Sequence, residues 1–232
     1  MESSLFRSLT LKMTESETSQ VESLIQKIEQ HREWAESLSP QEWHAGLQRL
    51  SPYRLRSSGT LKRGSREGWI AANTYVAEKV AAEQLPREQD ILQINAMMRQ
   101  QTEASIRAVD VFIGPHKACA PEELPKFLSY YYENMLPLDK HSHPLVAAAL
   151  SRYWLVSLHP FEDANGRTSV MIADWLLLSR GYLPLSFERK LDAVIGSIDG
   201  SRVSATPGQA ILKTLRSIFH SYQVVLDKAL AQ

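Results

Sequence analysis

The chain is 232 residues long and 44% apolar, enough for one sizeable core with a short extension. Lysine plus arginine equals aspartate plus glutamate, 26 of each, so the formal net charge is zero, which argues against broad capture of nucleic acid or of an anionic membrane. A single cysteine, Cys119, excludes an internal disulfide and a cysteine-rich zinc site, and no run approaches the roughly 20 apolar residues of a membrane span.

The first twenty residues, MESSLFRSLTLKMTESETSQ, hold eight serines and threonines and no apolar stretch long enough for a cleaved signal peptide. They read as a frayed tail. A delivery signal for a secretion machine has the same composition, so the expected location is cytoplasmic, or inside a host cell as a secreted effector. Val21, Leu24, Ile25 and Ile28 then form one helical face. Ser39–Glu42 is a capping box with Pro40 at the first helical position, and it opens a helix bearing Trp43, Leu47 and Leu50. The polar, glycine-containing stretch Arg56–Gly68 breaks the pattern. Helical spacing resumes over Trp69–Glu83 and Asp90–Thr102.

From Ile106 the pattern changes. The segment IRAVDVFIGPHKACAPEE alternates apolar and polar residues around Val109, Val111 and Ile113 and turns at Gly114-Pro115, which predicts a hairpin flap over about 107–121. Helices are expected again at Glu122–Leu136, Pro144–Leu158, Arg167–Arg180 and Pro207–Leu230. His141 and His143, two residues apart with no third ligand, read as a solvated turn. The five tryptophans sit at helix-core spacing and read as packing residues, and Cys119 has no base beside it that would make it a nucleophile. The expected fold is all-α, a helical bundle with one small β-hairpin flap. A tail and helical extension cover 1–65 and the core covers 66–232.

Polar chemistry gathers in LHPFEDANGR, Leu158–Arg167, directly before VMIADWLLL, a run apolar on nearly every face. A helix apolar all round lies inside a bundle, so Asn165-Gly166 reads as a tight turn feeding a central helix. The first N–H groups of a helix lack internal partners and carry partial positive charge. A glycine-containing turn before them makes an anion nest. Arg167 offers a planar fork to phosphate oxygens. Asp163 suits Mg²⁺, which usually takes one or two carboxylates plus phosphate and water. His159 titrates near neutrality and can act as a base. Together these residues describe a phosphate-transfer site.

HPFEDANGR resembles the signature of Fic-domain proteins, His-Pro-Phe-x-Asp-Gly-Asn-Gly-Arg-x-x-Arg. The helix HPLVAAALSRYWLVSL before it, the RGYLP after the motif helix and the flap upstream extend the likeness over about Trp69–Tyr222. The resemblance implies a helical bundle with a β-hairpin flap and an enzyme that transfers AMP from Mg-ATP to a Ser, Thr or Tyr hydroxyl of a protein. It implies that His159 is the general base, that Phe161 holds the loop in the core and that Asp163 binds Mg²⁺. The segment Ala164, Asn165, Gly166 and Arg167 would hold the nucleotide phosphates, and the protein target would lie along the flap near Val109–Cys119. Two motif positions differ: Ala164 replaces the first glycine, and Val170 replaces the second arginine, which in the family helps hold the γ-phosphate. Phosphocholine transfer from CDP-choline, whose diphosphate needs no γ clamp, and phosphorylation of the Doc type are the alternatives among enzymes. A nucleotide- or partner-binding scaffold without turnover is the alternative outside them. A bacterial toxin or effector is the implied setting, and a homo-oligomer is left open. The stretch SSGTLKRG, Ser57–Gly64, stands where family members carry an inhibitory helix, but Lys62 or Leu61 falls at its glutamate position.

Overall fold

In the computed structural model residues 13–57, 65–113, 116–137, 142–186, 198–199, 202–203 and 206–227 are described. Helix α1 (Glu15–Glu36) opens on a reciprocal cap. Thr14 Oγ1 accepts the Glu17 N–H at 3.1 Å, and the Glu17 carboxylate accepts the Thr14 N–H at 2.9 Å. Residues 15–20, expected in a tail, are therefore helical; serine- and threonine-rich composition hid the cap. Residues 1–12 lie outside the described set, as do 58–64, on which the comparison with an inhibitory helix rests.

Helix α2 (Pro40–Ser57) begins at the expected box, with Ser39 N–H donating to Glu42 Oε2 at 2.8 Å. Helices α3 (Ser65–Ala81) and α4 (Glu88–Arg99) follow. α4 stops short of Thr102 because Gln100 turns left-handed, at φ 54°, and its N–H bonds back to the last turn. The two helices nearly touch at Gly68, where a Cβ would lie 2.3 Å from the carbonyl oxygen of Met97. Only glycine fits there.

The flap is an antiparallel pair, β1 (Phe112–Ile113) and β2 (His116–Lys117), with Phe112 opposite Lys117 and Ile113 opposite His116. The expected Gly114-Pro115 turn lies outside the described residues. The helix expected over 122–136 is three pieces. A 3₁₀ turn at Pro121–Glu123 leads into α5 (Leu124–Tyr130), and a wider π turn at Tyr131–Met135 closes with Leu136 N–H on Tyr131 O at 3.1 Å. Helices α6 (Pro144–Leu158), α7 (Asn165–Leu178) and α8 (Pro207–Leu226) complete the bundle. A second small hairpin pairs β3 (Ile198–Asp199) with β4 (Arg202–Val203).

α7 packs against α6, α4 and α3, while α8 packs against α6, α1 and α2. Every residue of α7 from Thr168 to Leu177 is buried, so the apolar-all-round run is the central helix. The one charge within that run, Asp174, is fully buried. It accepts from Arg54 Nη2 at 2.6 Å and from Leu185 N–H at 2.7 Å, tying α2 and the chain after α7 to the centre. Trp69, Trp154 and Trp175 are core residues and Trp43 is half-buried. Trp34 departs from the expectation: it is 40% exposed, leaning on His31 at the surface of α1. His143 is likewise not a solvated turn. Its ring caps α6 by accepting the Leu145 N–H at 3.3 Å, and its other nitrogen faces Glu29 at 3.5 Å; His141 lies outside the described residues.

Candidate active site at the start of the central helix

α6 ends at His159, whose φ of 51° is left-handed. Histidine is among the few side chains enriched in that conformation. The turn leaves His159 Nδ1 3.0 Å from the carbonyl oxygen of Val156. A carbonyl only accepts, so Nδ1 carries the proton and Nε2 keeps its lone pair. Burial pushes the imidazole below its ordinary value of 6.5. The Arg107 guanidinium lowers it further, against the Val156 hydrogen bond and the Asp163 charge, which raise it. The ring is thus held neutral, with one nitrogen ready to take a proton.

The loop from His159 returns to the core through Phe161, which is wholly buried. Asn165 closes it. Its Oδ1 accepts the Phe161 N–H at 2.9 Å and its Nδ2 donates to the Phe161 carbonyl at 2.8 Å. The Asn165 amide group is therefore engaged within the loop, and the residue itself takes the first position of α7. The left-handed bend that starts α7 is made by Ala164, at φ 65°, and not by Asn165-Gly166, which are already helical. The turn expected at Asn-Gly thus lies one residue earlier. Asn165, Gly166 and Arg167 occupy the first three helical positions, whose N–H groups have no partner inside the helix.

Two charged side chains flank these N–H groups. Asp163 is 74% exposed; its Oδ1 accepts the Ala164 N–H at 2.6 Å and its Oδ2 lies 3.6 Å from Arg167 Nη2. Arg167 also donates to the carbonyl of Met98 at 3.3 Å, in the last turn of α4, where helix carbonyls lack partners. The close approach of α3 and α4 at Gly68 and the end of α4 thereby fix where the Arg167 fork lies. Val170, one turn along α7, is buried among apolar side chains and brings no charge to the site.

Three residues that sequence reasoning did not single out hold this loop. Asn95, fully buried on α4, donates from Nδ2 to the Asp163 carbonyl at 3.0 Å and to Thr168 Oγ1 at 3.1 Å. An asparagine among the apolar residues of ILQINAMM was a usable signal for a buried polar contact. Arg99 lies 3.5 Å from Glu162. Arg107 is buried, 3% exposed, at the base of the flap; its backbone N–H donates to Pro160 O at 2.9 Å and its guanidinium reaches the motif loop as well. Nothing in alternating SIRAVDVF distinguishes it from a surface arginine.

The flap stands beside His159. Ala118 N–H pairs with Val111 O at 2.9 Å, Lys117 pairs with Asp110 at 2.6 Å, and Val109 and Phe112 are 54% and 65% exposed. Cys119 is half-buried. Burial and the neighbouring Glu123 charge push its thiol up to about 11, so it is an unreactive thiol. Among the described residues no three or more His, Cys, Asp or Glu side chains gather as a metal cluster, and no helix is long and apolar enough to cross a membrane.

Known proteins resemble this chain at two levels. Over 80 residues it is 39% identical to protein adenylyltransferase Fic of Nematostella vectensis, and over 81 residues 40% identical to the protein of that name from Drosophila virilis. Each match spans 34% of this chain, but only 19% and 16% of those relatives. The fold is shared more widely. Fic-1 from C. elegans superposes with a TM-score of 0.69 at 15% identity, over 92% of this chain and 74% of that one. IbpAFic2 covalently tethered to Cdc42 gives 0.68 at 17%, over 93% and 73%. A Fic domain containing signaling protein from Bacteroides thetaiotaomicron gives 0.63 at 17%, over 90% and 98%. Residues 85–177 match the Fic/DOC family model, a stretch that begins before α4 and runs through the flap, His159 and nearly all of α7.

Proposed function

We propose that this chain is a protein adenylyltransferase that transfers AMP from ATP to a Ser, Thr or Tyr hydroxyl. The observation that carries the reading is His159: a half-buried imidazole held neutral, with Nδ1 engaged by Val156 and Nε2 left to accept, in the loop that leads to the first N–H groups of α7. The relatives' name, protein adenylyltransferase, supports the AMP donor. The IbpAFic2 structure tethered to Cdc42 supports a protein acceptor.

The chemistry follows from those positions. The target lies along the flap, its main chain beside β1, with Val109 and Phe112 offering apolar contact. Nε2 of His159 takes the proton of the incoming hydroxyl, and the freed oxygen bonds to the α-phosphorus. The bond from that phosphorus to the pyrophosphate oxygen breaks, and pyrophosphate leaves with the electron pair. The Ala164–Arg167 turn meets the phosphate charge with backbone N–H groups and the Arg167 fork. The donor set fits Mg²⁺: Asp163 is a single, largely exposed carboxylate, and a hard ion completes its shell with phosphate oxygens and water. When bound there it would supply neutralisation of phosphate charge.

Val170 favours a second reading. A buried valine gives the γ-phosphate no partner, which suits a donor with only a diphosphate, such as CDP-choline. One assay separates the two. The protein and its His159→Ala variant are incubated in cell lysate with α-labelled ATP, CTP, UTP and GTP, and with choline-labelled CDP-choline. Label on protein from ATP alone, absent with the variant, is expected. Label from CDP-choline alone would replace adenylylation with phosphocholine transfer.

A further inference from the structure

We infer that Arg107 is a positioning residue that holds the target-docking flap and the His159 base in one fixed relation, through four main-chain carbonyls. Its Nε donates to the carbonyl of His159 itself at 2.7 Å, and Nη2 reaches that of Leu158 at 3.5 Å. On the other side Nη1 donates to Val109 O at 2.8 Å, at the foot of β1, and Nη2 donates to Cys119 O, just after β2. One planar group therefore touches both legs of the flap and the backbone of the base. The inference rests on the adenylyltransferase reading.

The chemistry of the residue makes it suited to this and to little else. A buried cation normally has a carboxylate partner, since taking it from water costs several kcal/mol. Among the described residues no carboxylate lies within ion-pair distance of Arg107; carbonyl oxygens satisfy it. Burial lowers its pKa from the usual guanidinium value, with the Asp110 charge opposing that effect. Stability alone would be served as well by an apolar side chain. What the arginine adds is geometry: a rigid fork of five N–H donors that a flexible chain with one ammonium cannot reproduce. It fixes the approach of the flap to His159 in the way a bolt fixes two plates. A target lying on the flap then has its hydroxyl at a set distance from Nε2.

The test uses Arg107→Lys, which keeps the charge and loses the fork, with Arg107→Gln as the second variant. Hydrogen exchange is followed by mass spectrometry in the flap and motif-loop peptides. Mg-ATP binding is followed by calorimetry, and label from α-labelled ATP is followed onto lysate protein and into free AMP. Expected for Arg107→Lys are faster exchange at the flap and around His159, unchanged ATP affinity and loss of about 10²-fold in transfer to protein, the scale of a small misplacement at a reacting centre. Release of free AMP to water, which does not use the flap, falls less. Full transfer by the lysine variant would overturn the inference, as would flap exchange equal to the parent, or a loss matched by equal loss of ATP affinity. If the parent chain transfers no label from ATP, the adenylyltransferase reading fails on its own. The exchange experiment then still decides the structural half of the inference, and unchanged flap exchange in either folded variant overturns it.

Discussion

At the scale of single residues the site depends on two left-handed positions, His159 and Ala164. Alanine pays for that conformation, where glycine does not. Ala164→Gly is expected to raise stability by about 0.5–1 kcal/mol, after the extra freedom of glycine in the unfolded chain is subtracted. A thermal melt checks it, and a lower Tm than the parent would mean that the buried methyl group of Ala164 contributes more than its backbone costs. His159 makes a pH prediction. Its folded pKa lies below the unfolded value near 6.5, so the native state binds fewer protons in that window. The associated stability is present above about pH 6.5 and is lost as pH falls through the folded value. The base form likewise persists to lower pH, so the acid limb of transfer rate against pH should have its midpoint below 6.5. A midpoint at or above that value would mean that the ring is not held as described. The motif residues themselves were legible, because a histidine, acids and an arginine against an apolar run have few structural explanations. Asn165 was legible in place but not in role: only the folded loop reveals that its amide closes on Phe161.

At the scale of elements, α7 holds the end of the motif at its first turn and the core along the rest. Val170 belongs to the core part. With no second arginine there, ADP and ATP should bind with similar affinity in the presence of Mg²⁺, since a charged hydrogen bond to phosphate, worth about 1.5–3 kcal/mol, is missing. Calorimetry on the parent chain checks this. A strong preference for ATP would show that another side chain meets the γ-phosphate; Lys117 is paired with Asp110 and would have to leave it. Val170→Arg should shift preference toward ATP while lowering stability, because the position is buried. The flap was legible as alternation of apolar and polar residues. Its attachment was not, because a buried arginine bonded to carbonyls leaves no pattern in a sequence. The same holds for the helix expected over 122–136, which changes from 3₁₀ to α to π where Tyr131 is buried with its hydroxyl on Ser151.

At the scale of the whole molecule, the bundle is centred on α7 and braced by the buried carboxylate of Asp174 on Arg54. Asp174→Ala would leave Arg54 facing the core without its carboxylate, at a cost of about 3–5 kcal/mol in global stability. Denaturant unfolding checks it, and a loss under about 1 kcal/mol would mean that the pair is dispensable. Helical periodicity made most of the bundle readable in advance, since apolar faces at 3.6-residue spacing reflect burial directly. The start of α1 and the stop of α4 were not, because they are set by a cap at Thr14 and a left-handed Gln100 inside polar stretches. The proposed function rests on His159 acting as a neutral base beside a phosphate nest in AMP transfer. Transfer from α-labelled ATP to protein by the parent and by His159→Ala tests it most directly, with circular dichroism confirming that both are folded. Labelled protein from the parent and a loss of about 10²–10⁴-fold in the variant are expected. Near-equal labelling by a folded His159→Ala chain would contradict it.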